Sequence, residues 1–251
     1  MKTAVPSLRQ LFLASMLPAA LAFSACGNDD EDSTPAPEQG KVLVVHAAAV
    51  SNVPITAFVA DQQVAQLNYG TNSSYFTVNA GSPTLRINSG TQVLTSAPLA
   101  VSKDQNYSSF VFSPTATIGS TPTVLTVPDD LTAPAAGQAK VRIVHLALNA
   151  QTPVRLTVPS ALPGTAGTDV TTDVPFGAAS GFIAINAASL NLSVTAGTPR
   201  TQVIAVGDGS GTGTGVKNYE SGKIYTVLVR GIAGSGVPTP QQQQAVIIQH
   251  N

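Results

Sequence analysis

The feature that most constrains the fold of this chain is an internal duplication. Residues 41–46 (KVLVVH) return as residues 140–145 (KVRIVH), and residues 69–91 align without a gap with residues 176–198. Two copies of roughly a hundred residues are too few for a solenoid, in which many short repeats stack on one another. The duplication therefore predicts two tandem domains of the same architecture.

Each copy is a series of short β-branched runs separated by turn residues, with no helical period of useful length. About seven or eight short strands per copy favour a small β-sandwich. We therefore predict an all-β fold with two tandem antiparallel β-sandwich domains, Ig-like or transthyretin-like in form, although the paired cysteines and the tryptophan of Ig domains are absent. In the second copy the predicted strands lie near residues 140–146, 153–158, 170–175, 181–186, 190–195, 200–206, 223–230 and 244–249.

Composition divides the chain into five segments. The linker between the copies is rich in Pro and Ala, and no pattern assigns a partner to its acidic residues Asp129 and Asp130. The predicted segments are a signal peptide (1–25), a lipidated cysteine with a disordered acidic tether (26–40), the first sandwich (41–128), the linker (129–137) and the second sandwich (138–251).

The amino terminus has the features of an export signal. Lys2 and Arg9 precede an apolar run from Leu11 to Phe23, which is shorter than the roughly twenty residues that a membrane-spanning helix needs. The run ends in FSAC, which resembles a lipobox, and Cys26 is the sole cysteine of the chain. We expect Cys26 to be lipidated, which anchors the protein in the cell envelope as a surface-exposed outer-membrane lipoprotein. The alternative is a secreted protein with a chance cysteine near its cleavage site.

The segment after Cys26 contains the acidic run of residues 29–32 (DDED). Self-repulsion and prolines are typical of an extended, disordered tether. The acidic run also resembles a surface-export signal of some Gram-negative lipoproteins, and both interpretations remain open.

Composition limits the possible partners. Only 10% of the residues are charged and the net charge is −1, so no basic patch is expected to bind nucleic acid. Trp is absent and aromatic residues make up 5% of the chain, which leaves few platforms for stacking sugars. Tyr69, Tyr75 and Tyr219 are the candidate platforms if the protein binds carbohydrate.

Three stretches of the second copy resemble the landmarks of a family known as domain of unknown function 4397. They are residues 141–145 (VRIVH), 176–182 (FGAASGF) and 222–229 (GKIYTVLV). The landmark glycines are Gly70 in the first copy and Gly177 in the second, and the second copy carries the clearer resemblance. The resemblance implies a β-sandwich of exported bacterial proteins and implies no activity. A small-Pro-Asp stretch that usually follows the histidine is replaced here by AAA and LAL.

Two pairs of repeated polar residues are candidates for a site. His46 and His145 occupy equivalent positions, but strand parity places each on a face shared with buried valines or isoleucine, and no second ligand lies at metal spacing. We therefore expect structural, hydrogen-bonded histidines. Tyr107 and Tyr225 begin matching strands, where a tyrosine commonly buries its ring and ties its hydroxyl to nearby backbone.

The remaining motifs favour loops over catalysis. The glycine-rich run of residues 207–215 lacks the spacing of a phosphate-binding motif, so it predicts a flexible loop in which Gly209, Gly211 and Gly213 could serve recognition. Ser180 does not lie in a nucleophile elbow. We predict no cofactor, no metal and no catalytic residues.

These observations predict a non-catalytic, lipid-anchored envelope protein that acts as a binding, adhesion or structural module with a protein or glycan partner at the cell surface. The alternative is a carbohydrate-binding accessory lipoprotein of a nutrient-uptake system.

Overall fold

The computed structural model describes residues 36–160 and 167–251, so the predicted signal peptide, Cys26 and the acidic run lie outside the described residues. Residues Pro37–Asn251 form one compact unit. The described residues form β-strands, with one 3-10 helix at Thr239–Gln241 and no α-helix. The all-β prediction is confirmed.

The first repeat is a sandwich of two four-stranded sheets. Its outer sheet has the order β3-β2-β5-β6 and its inner sheet the order β4-β1-β7-β8. The strands are β1 (Gln39–Ala47), β2 (Ile55–Val59), β3 (Gln62–Leu67), β4 (Phe76–Asn79), β5 (Thr84–Ser89), β6 (Gln92–Pro98), β7 (Asn106–Phe112) and β8 (Thr123–Asp129).

The second repeat has the same plan. Its inner sheet is β12-β9-β18-β19, with β13 also paired to β9, its outer sheet is β11-β10-β15-β16, and β14 pairs with β17 apart from both. The strands are β9 (Gln138–His145), β10 (Val154–Val158), β11 (Thr168–Asp169), β12 (Ala178–Ala179), β13 (Ile183–Asn186), β14 (Ala188–Leu190), β15 (Ser193–Ala196), β16 (Thr201–Ala205), β17 (Lys217–Tyr219), β18 (Ile224–Arg230) and β19 (Gln244–Gln249).

The central strands of both inner sheets are paired in parallel, which the antiparallel prediction did not include. β1 runs parallel to β7, and β9 runs parallel to β18, while the other pairings are antiparallel. Parallel strands are usually buried on both faces, and such strands have nearly continuous apolar sequences. The runs VLVV in β1 and YTVLV in β18 have this character.

Three apolar clusters hold the four sheets together. One fills the first sandwich and includes Val42 and Val44, and one fills the second sandwich and includes Val141 and Ile143. The third lies between the two inner sheets. Each fully buried aliphatic side chain contributes roughly 1.5–3 kcal/mol, so this shared cluster holds the repeats against each other. The members of the third cluster are Leu43, Val45, Ala47, Phe110, Phe112, Val144, Leu146, Leu228 and Ile248.

Candidate functional site

A buried ion pair joins the two repeats where their inner sheets meet, a region that we call the seam. The guanidinium of Arg142 in β9 lies 2.5 Å from the carboxylate of Asp129 at the end of β8, and the two side chains are 1% and 0% exposed. The sequence assigned no partner to Asp129 or Asp130, and the structure shows one for each. Asp130 forms an ion pair with Lys140 at 2.7 Å.

The ion pair belongs to a closed ring of five side chains, Asp129, Tyr75, His250, Thr226 and Arg142. The Tyr75 hydroxyl lies 2.5 Å from Asp129 Oδ2 and 2.7 Å from His250 Nδ1. His250 Nε2 lies 2.7 Å from Thr226 Oγ1, which accepts a hydrogen bond from Arg142 Nε at 2.8 Å. The sequence pointed to Tyr75 only as a candidate sugar platform and to Asp129 only as a linker residue, and it linked none of the five side chains to one another.

The ring fixes the direction of every proton in it. An ionised carboxylate only accepts hydrogen bonds, so the Tyr75 hydroxyl donates to Asp129 and accepts from His250 Nδ1–H. Burial lowers the pKa of His250 to about 4, so its imidazole is neutral at pH 7 and carries its one proton on Nδ1. Its Nε2 therefore accepts from the Thr226 hydroxyl, whose oxygen accepts from Arg142 Nε.

Electrostatics in the ring agree with this assignment. Burial lowers the pKa of His250 to about 4, and the charge of Asp129 only partly opposes that shift. Burial together with the Asp129 carboxylate raises the pKa of Tyr75. Burial lowers the pKa of Arg142 while Asp129 raises it. The charged form of Arg142 therefore depends on Asp129 for compensation.

Two further groups complete the surroundings of the ion pair. The Ser108 hydroxyl donates to Asp129 Oδ2 at 2.7 Å and accepts from Arg142 Nη2 at 3.2 Å. The Arg142 guanidinium lies 4.4 Å from the ring centroid of Phe182, a distance at which cation–π attraction contributes. The seam is thus polar at this end and apolar in its middle.

A cleft of about 640 Å³ opens onto this end of the seam. The first repeat lines it with residues 104–106 and 128–132, and the second repeat lines it with Arg142 and residues 180–182. Its volume is that of a typical small-ligand site. Because both repeats supply its walls, the shape of the cleft depends on the ring that fixes their relative position.

The two repeated histidines lie inside the sandwiches. His46 is fully buried, with Nε2 2.9 Å from the carbonyl oxygen of Val53, whereas neither ring nitrogen of the buried His145 has a hydrogen-bond partner among the residues that the structure describes. Burial lowers the pKa of His145 to about 4, opposed only by the nearby backbone of Gln151. The described residues contain no group of three potential ligands that could hold a metal ion.

The two repeated tyrosines have the same backbone contact. The Tyr107 hydroxyl accepts a hydrogen bond from the backbone N–H of Ser102 at 3.1 Å, and the Tyr225 hydroxyl accepts one from Glu220 at 3.2 Å. Each hydroxyl therefore fixes the turn that precedes its strand. The contact is local, which is why the sequence could indicate it.

The landmark glycines lie where each repeat meets the other. Gly177 lies beside Phe112 of the first repeat, and Phe112 packs edge-on against Phe176 with the ring centroids 5.8 Å apart. Gly70 lies under the guanidinium of Arg230, so close that an added Cβ would be 2.7 Å from Nη2. Both glycines adopt a positive φ, at which a side chain is strained.

Ser180 has a structural contact that is repeated in both copies. Its hydroxyl accepts from the backbone N–H of Ile143 at 3.0 Å, as the Ser73 hydroxyl accepts from Val44 at 3.0 Å. Each bond connects the segment that contains the serine to a central strand of the inner sheet in the same repeat.

The glycine-rich loop is packed against a strand, which the prediction of a flexible loop did not anticipate. The carbonyl of Gly209 accepts a hydrogen bond from Ile247 in β19, and Ser210 forms a bridge with Val246. A Cβ on Gly209 would lie 2.6 Å from the side chain of Ile247. Gly211 and Gly213 also adopt positive φ in this loop.

The tyrosines proposed as sugar platforms are engaged elsewhere. Tyr219 is fully buried, the hydroxyl of Tyr75 belongs to the ring, and the ring of Tyr69 is covered by Arg230 at 4.6 Å. Among the described residues, no helix has the length and apolar character needed to cross a membrane.

Comparison with known proteins finds a family model that is similar to part of the chain. No curated protein matches the sequence. A family model described as Domain of unknown function (DUF4397) matches residues 40–153, which comprise the first repeat and the beginning of the second. We expected the clearer resemblance in the second repeat, and the match instead lies mainly in the first. The predicted resemblance is nevertheless confirmed, because residues 40–153 match the DUF4397 family model.

Proposed function

We propose that this protein is a non-catalytic, lipid-anchored protein of the cell envelope whose two-repeat body acts as a binding, adhesion or structural module. Cys26 would supply the anchor, and the cleft at the seam would contact a protein or glycan partner at the cell surface.

The observation that carries the proposal is the buried ring around Arg142 and Asp129. A buried ion pair adds little net stability compared with an apolar contact of the same shape, and its best-attested use is to fix one specific arrangement. Apolar packing alone would hold the repeats together. The ring therefore supports a function in which the relative position of the repeats matters, as it does for a cleft whose walls come from both.

The cleft can be tested with matched tryptophan substitutions. Gln105 lines the cleft and Gln92 lies on the outer sheet of the first repeat, and both residues are exposed. We expect Gln105→Trp to abolish cross-linking of the partner in intact cells by filling the cleft, while Gln92→Trp leaves it unchanged.

Both variants should unfold at the same urea concentration as the native protein, which separates binding from folding. If Gln105→Trp captures the same partners as Gln92→Trp, the cleft is not the binding surface and the proposal for this site is wrong.

A further inference from the structure

Arg230 is a buried cation without a counter-ion in the part of the chain that the structure describes. It ends β18 with 8% of its surface exposed, and its Nε and Nη1 atoms are buried without hydrogen-bond partners among the described residues. Within residues 36–160 and 167–251, no carboxylate forms an ion pair with it. Each of the other four arginines in this part of the chain pairs with a carboxylate: Arg86 with Asp61, Arg142 with Asp129, and Arg155 and Arg200 both with Asp169.

The guanidinium of Arg230 packs against a tyrosine ring and a glycine rather than against an anion. The guanidinium carbon lies above the Tyr69 ring, 4.6 Å from the ring centroid, and the guanidinium is in close contact with Gly70. The Tyr69 hydroxyl is itself buried and forms no hydrogen bond with any residue of ranges 36–160 and 167–251. Burial raises the pKa of Tyr69, and the charge of Arg230 opposes this shift, which places the two groups within electrostatic reach.

The equivalent pocket in the other repeat shows that packing does not require a charge here. Aligning Tyr107 with Tyr225 places Phe112 opposite Arg230, and Phe112 packs on Phe176 and Gly177 as Arg230 packs on Tyr69 and Gly70. A neutral ring therefore fills the same kind of pocket. A buried cation in its place is costly unless an anion compensates it.

We propose that the guanidinium of Arg230 and the hydroxyl of Tyr69 bind a carboxylate anion at the seam. A guanidinium presents its N–H donors in a planar fork that matches a carboxylate, and the phenol adds a third donor. This site lies apart from the cleft, because none of its residues lines the cleft, and it does not depend on the proposed function.

The test uses acetate labelled with ¹³C at its carboxylate as the probe, titrated by NMR at constant ionic strength against the chain that lacks residues 1–25. We expect saturable binding to the native chain. Arg230→Phe installs the ring that the other repeat uses, so it should fold, and it should weaken acetate binding about ten- to a hundredfold through loss of charge-assisted hydrogen bonds.

Arg86→Met is the matched control, because Arg86 also covers an aromatic ring, that of Phe58 at 4.4 Å, but has Asp61 as its counter-ion. We expect it to bind acetate like the native chain. Arg230→Met provides a second neutral variant should the phenylalanine disturb folding. No saturable binding to the native chain, or equal affinity in the native chain and a folded neutral variant, would overturn the proposal.

Discussion

Replacing Asp129 by asparagine isolates the charge that compensates Arg142 at the seam. Asparagine has nearly the same shape and can still accept hydrogen bonds from Ser108 and Tyr75. It leaves the guanidinium, of which 1% is exposed, without a counter-ion. Removing one partner of a buried ion pair costs about 3–5 kcal/mol, and we expect Asp129→Asn to lower the free energy of unfolding by this amount.

The partner substitution provides a thermodynamic cycle. Arg142→Leu installs the residue that the first repeat carries at the equivalent position, Leu43, and the double variant with Asp129→Asn removes both charges of the buried ion pair. Because a buried ion pair can be replaced by apolar groups at little cost, the double variant should recover most of the stability lost by Asp129→Asn.

The measurement is urea-induced unfolding at pH 7, with the slope m compared among the variants to detect a change in the unfolding transition. Asp61→Asn is the control, because Asp61 is 86% exposed in its pair with Arg86 and such surface pairs contribute about 0–1 kcal/mol. The reasoning fails if Asp129→Asn costs no more than Asp61→Asn, or if the double variant is as unstable as the two single effects combined.

Three further predictions concern pH, the glycine-rich loop and the anchor. In the folded state the pKa values of His145 and His250 are lowered from 6.5 to about 4, so their contribution to the free energy of unfolding is complete above pH 6.5 and is lost as the pH falls through 4. Urea unfolding measured from pH 7 to 4 should show a loss of up to about 3 kcal/mol for each histidine, and a stability that does not change with pH would contradict this. Gly209→Ala should destabilise the protein by about 1–3 kcal/mol because its Cβ meets Ile247, and should cost more than Gly222→Ala, which has a similar positive φ and open space, in the same urea assay. Cys26→Ala should move the protein out of the membrane fraction in cell fractionation, and its retention after a carbonate wash would show that the anchor lies elsewhere.

The features that could be predicted from the sequence are those that depend on local or repeated patterns of residues. Alternating apolar residues and turn residues indicated the strands, and the repeat indicated two sandwiches. Tyr107 and Tyr225 were predicted correctly to bind nearby backbone, because their partners lie five residues earlier in the chain. The apolar run of residues 42–45 is typical of a strand buried on both faces, but such a run does not show what covers the second face.

The ring was missed because its members are far apart in sequence and occur once each. The sequence does carry a signal for the ring, and this signal lies in the positions at which the two repeats differ. Where the first repeat has Leu43 the second has Arg142, and where the first has Tyr75 the second has Phe182. In the same way, β8 pairs with β7 and β19 pairs with β18, so His250 occupies in the second repeat the position that Asp129 occupies in the first. The residues that the two repeats share thus indicate the fold, and the positions at which the repeats differ indicate the seam between them.

These mismatches determine which surfaces can pair. Two first repeats brought together through the same faces would bury Asp129 opposite Leu43 and leave its charge without a cation. Two second repeats would bury Arg142 near His250 and leave the guanidinium without an anion. Since an uncompensated buried charge costs several kcal/mol, only a first repeat against a second repeat satisfies both groups. The duplication supplies two similar apolar faces, and the differences around Arg142 and Asp129 direct each face to the other, which produces a seam with one defined geometry.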